Sequence, residues 1–288
     1  MKQHVVNWLI SRHKDAIRHK SENPKAWSKL YVLSLEHTGE TEFVEFCQEV
    51  IRAQPGNRHA WSFLQLVLRD DRQRCDLLAF AKQVVKLHPD DEAAWERLDA
   101  VREKQSDDFD LIAFCREILT QDASNVAALS RLVPTYKKLG KYAEVIENSY
   151  RLLRVDSNDP QTWCSLGDAY AARVKYDEAI QAYERALELK PNFVVALNNL
   201  GNIYHTRGQY HDAVDAYQKA LKLNPEDVTP WVWLCLAYTE IGEHAKAEEA
   251  MKRVQKKLPI VAQMLAEEAL DNGPAFTPAP AFAAVPSN

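Results

Sequence analysis

The amino-acid sequence predicts an all-α protein built as a solenoid of repeated helix pairs. Tryptophan recurs at intervals that are multiples of 34 residues, at Trp27, Trp61, Trp95, Trp163 and Trp231. A leucine lies three residues after every position of this series, and prolines follow the same period. Three residue classes in one phase over seven cycles predict a repeat architecture, in which each repeat buries its apolar face against its neighbours.

Each cycle contains two helical stretches separated by a turn. In the sixth cycle, apolar residues spaced i, i+3 and i+7 predict a first helix at 195–205, and a second helix follows at 211–223. Gly208 separates the two helices, and Pro225 ends the second because proline disfavours helical backbone in the residue before it. The small side chain of Gly201 predicts a close approach of the paired helices. The repeated unit is therefore helix–turn–helix.

The period also predicts the domain organisation. We expect an N-terminal capping helix in residues 1–23, a C-terminal capping helix in 262–272 whose helical stretch begins near 260, and a disordered Pro/Ala-rich tail in 273–288. The seven repeats between them are predicted within 24–261, at 24–57, 58–91, 92–125, 126–159, 160–193, 194–227 and 228–261.

Two motifs carry a family resemblance. The segments WCSLGDAY (163–170) and DAVDAYQKALKLNP (212–225) resemble tetratricopeptide repeats. The resemblance implies a right-handed superhelical solenoid whose first helices line a concave groove that binds a peptide or a partner's helix. The first three repeats depart from the pattern, with Tyr31, Gln65 and Asp99 where glycine is usual.

Composition and spacing argue against several other functions. The net charge of −5 gives no signal for nucleic-acid binding, and no run of eighteen apolar residues predicts membrane insertion. The five cysteines are scattered without CxxC spacing, so we expect neither a structural zinc nor a disulfide framework, and we predict a cytoplasmic location. No histidine pair has metal-binding spacing and no Gly-rich phosphate loop is present. We therefore expect no catalytic residues, no metal and no cofactor.

A first candidate site is basic. Lys29, Arg97 and Arg131 occupy the same groove-facing slot in repeats one, three and four, and Lys138 lies further along the last of these helices. Stacked helices are expected to bring the two arginines together as a site for a carboxylate or an acidic peptide. We expect reversal of both charges to leave melting nearly intact. The alternative is that Glu96, Glu103 and Asp99 neutralise the arginines across neighbouring turns.

A second candidate site is polar and aromatic. Asn198, Asn199 and Asn202 lie on the first helix of repeat six, where amide groups could hold the backbone of an extended peptide because each presents a donor and an acceptor. Trp233 is predicted to face the groove one repeat later, as an aromatic anchor. The alternative for Trp233 is coverage by the capping helix at 260–270.

These patterns predict a protein–protein interaction scaffold, an adaptor or assembly factor, that binds a peptide or partner helix. The alternative is a non-catalytic, substrate-recruiting subunit of a multiprotein enzyme complex. Pro134 lies inside the first helix of repeat four, where we expect a kink or an early break, either passively tolerated or acting as a hinge. The sequence predicts no particular oligomeric state.

Overall fold

The protein is described by a computed structural model that covers residues 2–20, 22–37, 40–68, 71–103, 109–258 and 260. Helix is the dominant regular structure, and these residues contain no strand. The all-α repeat fold class is therefore confirmed. One helix precedes seven helix pairs: α1 (Lys2–His19), α2 (Pro24–His37), α3 (Glu40–Ala53), α4 (Arg58–Val67), α5 (Asp71–Leu87), α6 (Glu92–Glu103), α7 (Leu111–Gln121), α8 (Val126–Lys138), α9 (Tyr142–Val155), α10 (Pro160–Ala172), α11 (Tyr176–Leu189), α12 (Val194–Thr206), α13 (Tyr210–Leu223), α14 (Thr229–Glu240) and α15 (His244–Lys257).

The chain divides into two compact units, Met1–Arg131 and Leu132–Asn288, which we call unit 1 and unit 2. In unit 1, α1 packs on α2 and buries Ile10 and Ile17. In unit 2, α10 pairs with α11, α12 with α13, and α14 with α15. The predicted repeat boundaries remain predictions. The C-terminal cap and the tail lie outside the described residues, apart from Ile260.

One hydrogen bond links the tryptophan and proline series that the sequence shows. The indole Nε1 of Trp61 donates to the carbonyl oxygen of Pro55 at 2.7 Å, and Trp95 donates to Pro89 at 2.8 Å. In unit 2, Trp163 makes the same contact six residues back, at 2.9 Å. The tryptophan thus fixes the first helix of a repeat to the turn that precedes it. This shared contact explains why both residue types keep a common phase.

Two glycines permit the closest helix crossings in unit 2. A Cβ atom added at Gly167 or Gly201 would lie 2.6 Å from the ring of Tyr183 or Tyr217, respectively. Both tyrosine rings are fully buried, so they cannot swing outward. The pairing of a glycine on the first helix with a tyrosine on the second is therefore a steric requirement of α10–α11 and α12–α13.

Repeats one and three lack this glycine and carry the larger side chain on the first helix and the smaller one on the second. Tyr31 stands in the glycine slot of repeat one, and Cys47 stands in the tyrosine slot. Repeat three likewise has Asp99 in the glycine slot and Cys115 in the tyrosine slot. The Asp99 carboxylate lies near enough to the Cys115 thiol to act on it electrostatically. Both cysteines are fully buried, and burial raises their pKa to about 12, so they act as small apolar side chains. The departures from the family pattern preserve the volume between the helices.

Helix α8 continues through Pro134 as far as Lys138, so the expected early break is wrong. Proline removes one intrahelical hydrogen bond, which would pair with the carbonyl of Ser130. Both Pro134 and Ser130 are exposed, so water can solvate the carbonyl that lost its donor. No helix in the described ranges is long and apolar enough to span a membrane.

Candidate partner-binding face

The predicted site residues all lie on first helices of helix pairs. In unit 1 these are α2, α6 and the start of α8, and in unit 2 the end of α8, α12 and α14. The residues are Lys29 on α2, Arg97 on α6, Arg131 and Lys138 on α8, Asn198, Asn199 and Asn202 on α12, and Trp233 on α14.

Arg131 is engaged within the fold of unit 1. Its Nε donates to Asp99 Oδ2 at 2.8 Å, one terminal nitrogen donates to Glu92 Oε1 at 2.8 Å, and its guanidinium lies 4.9 Å from the ring centre of Trp95. Burial opposes its charge, but these two carboxylates outweigh burial and raise its pKa. Neutralisation by Asp99, which the sequence left as the alternative, is therefore observed, with Glu92 as a second acid. The two ion pairs argue against the expectation that reversing this charge leaves melting intact, since the reversal would break both.

Other residues in the slot of Arg131 also contact the preceding repeat. Phe63 stacks on Trp27 in unit 1, with ring centres 5.9 Å apart. In unit 2, Asn199 Nδ2 donates to Asp168 Oδ1 at 2.7 Å, and the Trp233 ring lies edge-on to His205 at 5.4 Å. The slot is therefore a junction between successive first helices. In the sequence, the slot holds an aromatic residue in repeats two and seven and a polar one in the other five.

Asp168 is the centre of a polar cluster that the sequence analysis missed. Its carboxylate accepts hydrogen bonds from Lys137 Nζ at 2.5 Å, from the Tyr183 hydroxyl at 2.7 Å and from Asn199 at 2.7 Å. Burial, and next the charge of Asp168, raise the pKa of Tyr183 well above its ordinary value. Burial opposes the charge of Lys137, but Asp168 outweighs it and raises the lysine's pKa. The cluster connects α8, α10, α11 and α12.

The three asparagines of α12 differ in their hydrogen-bond partners. Asn199 donates a hydrogen bond to Asp168, and the Oδ1 of Asn202 accepts a hydrogen bond from the Tyr217 hydroxyl at 2.7 Å. Asn198 is partly exposed, and its Oδ1 has no hydrogen-bond partner among the described residues. That oxygen is itself buried, so Asn198 can offer a ligand its amide NH2 group but not its carbonyl oxygen. We call Asp168, Asn198, Asn199 and Asn202 the amide face.

The remaining predicted residues are less engaged. Lys29 and Lys138 are exposed and Arg97 is partly exposed, and the ion pairs among the described residues include none of the three. Trp233 is partly buried against the α13–α15 core, so it offers one edge of its ring rather than a whole face. His205 beside it is buried, its Nε2 lacks a partner in the described structure, and burial lowers its pKa.

No group of three or more His, Cys, Asp or Glu side chains in the described ranges is placed to hold a metal ion. The geometry instead defines a class. Stacked helix pairs with a periodic tryptophan contact, and with polar junctions between their first helices, define a helical-repeat protein.

Comparisons with known proteins identify the family. The Tetratricopeptide repeat model matches residues 194–227, and a second TPR repeat model matches residues 167–208. A crystal structure of MamA is 26% identical, covers 53% of this chain and 89% of its own, and has a TM-score of 0.50. YrrB, described as a TPR protein with an unusual peptide-binding site, is 16% identical, covers 78% of this chain and 99% of its own, and has a TM-score of 0.51. A comparison with curated protein sequences found no match.

Residues 167–227 of the chain therefore match tetratricopeptide-repeat models.

Proposed function

We propose that this chain is a protein-interaction scaffold that holds a peptide or a partner's helix on the first helices of unit 2. The observation that carries the proposal is the partly exposed Asn198, whose Oδ1 is buried and whose amide NH2 group makes no hydrogen bond among the described residues. Its neighbours Asn199 and Asn202 are held in place by Asp168 and Tyr217. An unengaged amide NH2 group beside two fixed amides can donate to a carbonyl oxygen of a peptide backbone with little loss of side-chain freedom elsewhere.

Two further considerations support a peptide ligand. YrrB, which shares the fold, is described with a peptide-binding site, and we propose the same class of ligand here. Trp233 lies on the next first helix and is partly exposed, and aromatic side chains are common anchors of bound segments. We propose that the chain itself performs no catalysis and acts in the cytoplasm.

The basic site remains a second, weaker proposal. Arg97 is the member of the predicted arginine pair that is not ion-paired in the described structure, whereas the charge of Arg131 is met by Asp99 and Glu92. An acidic ligand would have to compete with those carboxylates for Arg131. Lys29 and Lys138 are exposed and could supply long-range attraction, which salt would screen.

Selection from a displayed library of random peptides on the immobilised chain tests the proposal. The selected peptides, labelled and titrated by fluorescence anisotropy, should bind the Asn198→Ala variant about 3–10-fold more weakly, the loss expected for one hydrogen bond. Asn192→Ala is the matched control, an exposed amide in the turn before α12, and it should leave affinity unchanged. Peptides that bind Asn198→Ala as tightly as the native chain would place the site elsewhere.

A further inference from the structure

A cleft of about 610 Å³ opens in unit 2 between the second helix α9 and the first turn of α10. Its volume lies within the range of about 300–1,000 Å³ that is usual for ligand sites. None of its lining residues belongs to the amide face. They are Glu147, Tyr150, Arg151, Leu153 and Arg154 on α9 and Trp163 on α10.

The charge of the cleft is positive, since two guanidinium groups face one carboxylate. Arg151 is partly buried and donates to Asn148 Oδ1 at 3.2 Å, which fixes its position in the wall. Arg154 is exposed, and the ion pairs found among the described residues do not include it. Glu147 is the acidic lining residue. The cleft therefore presents one guanidinium anchored by a hydrogen bond and one that is exposed.

The packing of the helix pairs does not require these two arginines. One repeat later, the equivalent positions are Arg185 and Glu188, which neutralise one another at 2.6 Å. Two repeats later they are Lys219 and Lys222. A fold that accepts Arg–Glu in one repeat does not need Arg–Arg in another. Arginine differs from lysine in its planar, multiple donors, which match the oxygens of a carboxylate or phosphate in pairs.

The rest of the lining suits an apolar side chain beside an anion. Trp163 is partly exposed, and its Nε1 is engaged with the Ser157 carbonyl, so the indole offers its ring rather than its N–H group. Leu153 is buried and forms an aliphatic part of the cleft lining. The Tyr150 and Tyr170 hydroxyls lie 2.8 Å apart and share one hydrogen bond, which leaves one of the two protons to donate to another acceptor.

We propose that this cleft is a second binding site, which takes an acidic peptide segment of a partner protein. An acidic group of the segment, a carboxylate or a phosphate, lies between Arg151 and Arg154, and an adjacent apolar side chain packs on Trp163 and Leu153. Charge complementarity selects an anionic partner, and the aromatic and aliphatic lining selects a peptide that carries apolar side chains. The site shares no side chain with the amide face or with Trp233, so it stands independently of the proposed function.

The probes are two labelled synthetic peptides, Ser-Gly-Phe-Glu-Glu-Leu-Gly-Ser and its counterpart with Gln-Gln, titrated by fluorescence anisotropy at about 0.1 M salt. The acidic peptide should bind at least about 10-fold more tightly than the amide one, because charge-assisted pairs are lost in the latter. Arg154→Glu should weaken the acidic peptide by about 10-fold or more, and Arg154→Lys should have an intermediate effect. Replacing the second Glu by phosphoserine should preserve binding, since both groups present paired oxygens.

Lys222→Glu is the matched control, because it makes the same charge change at the equivalent position two repeats later. It should leave affinity within about 2-fold, since salt screens charges beyond roughly 10 Å. Equal losses in Arg154→Glu and Lys222→Glu, equal binding of the two peptides, or no saturable binding of either would overturn the proposal. Displacement of the acidic peptide by a single-stranded RNA oligonucleotide at lower concentration would do the same. Asn198→Ala should not affect this binding, which separates this site from the amide face.

Discussion

Val174 follows α10 at a turn position where three other repeats have glycine. Its φ is 60°, compared with 68° at Gly140, 73° at Gly208 and 79° at Gly242, and these four residues are spaced by 34. All four occupy the left-handed region, in which a β-branched side chain is a genuine outlier because its Cβ crowds the backbone. The Val174→Gly variant should therefore be more stable than the native protein.

The magnitude follows from two opposing effects. The left-handed conformation costs a non-glycine residue about 1–3 kcal/mol. Glycine offsets about 0.5–1 kcal/mol of this gain in stability, because it gives the unfolded chain more conformational freedom. Val174 is 68% exposed, so the loss of its side chain sacrifices little apolar burial. We expect a net gain of about 0.5–2 kcal/mol in the free energy of unfolding, which raises the melting temperature by about 1–6 °C.

Thermal and urea unfolding followed by far-ultraviolet circular dichroism measure this gain. The reciprocal control is Gly208→Val, where an added Cβ would meet no atom within 4 Å, so that a loss of stability reports backbone strain alone. It should destabilise the protein by a similar amount. A lower midpoint for Val174→Gly, or an unchanged midpoint for Gly208→Val, would refute the reasoning.

Three further predictions use the same unfolding measurements. Gly201→Ala should destabilise the protein by about 1–3 kcal/mol, because its Cβ would lie 2.6 Å from the Tyr217 ring, and the penalty should shrink in a Tyr217→Ser background. Arg131→Ala should cost about 1–3 kcal/mol because it removes the cation that pairs with both Asp99 and Glu92, whereas Arg97→Ala should cost about 0.5 kcal/mol or less. Burial lowers the pKa of His205 from 6.5, so the unfolded state binds more protons and stability falls as the pH drops through that value; His205→Phe should flatten this fall.

Each prediction has an outcome that contradicts it. The Gly201 argument fails if the penalty is the same with and without the Tyr217 ring. An Arg131→Ala variant as stable as Arg97→Ala would show that the ion pairs add nothing measurable. For the pH dependence, the exposed His211 supplies the matched control. If His211→Phe flattens the curve as much as the change at position 205, buried His205 is not its source.

The sequence predicted the fold class well because every repeat must solve the same packing problem. Trp61 and Trp95 hydrogen-bond to the prolines six residues before them, so the two residue series share one phase and are visible without a structure. Departures such as Asp99 with Cys115 looked like degeneracy. The structure indicates an exchange of side-chain volume between facing helices. A linear pattern hides this exchange because its partners lie 16 residues apart, on different helices.

The candidate site was predicted only in part. The sequence placed Asn198, Asn199, Asn202 and Arg131 on first helices, because helical spacing determines which side of a helix a residue occupies. It did not show which of them the fold already uses. The acidic partner of Asn199 is Asp168, 31 residues away on the previous first helix, and this distance is invisible to local patterns.

The sequence by itself therefore determined the helix pairs, their period and the side of each helix, since these depend on interactions repeated within 34 residues. The tertiary structure alone decided which polar side chains remain available. Arg131 is engaged by Asp99 and Glu92, whereas Arg154 is left facing a cleft without an ion pair among the described residues. The physical reason is that a charge is neutralised by whichever opposite charge lies within a few ångströms, and only the stacking of successive repeats sets those distances.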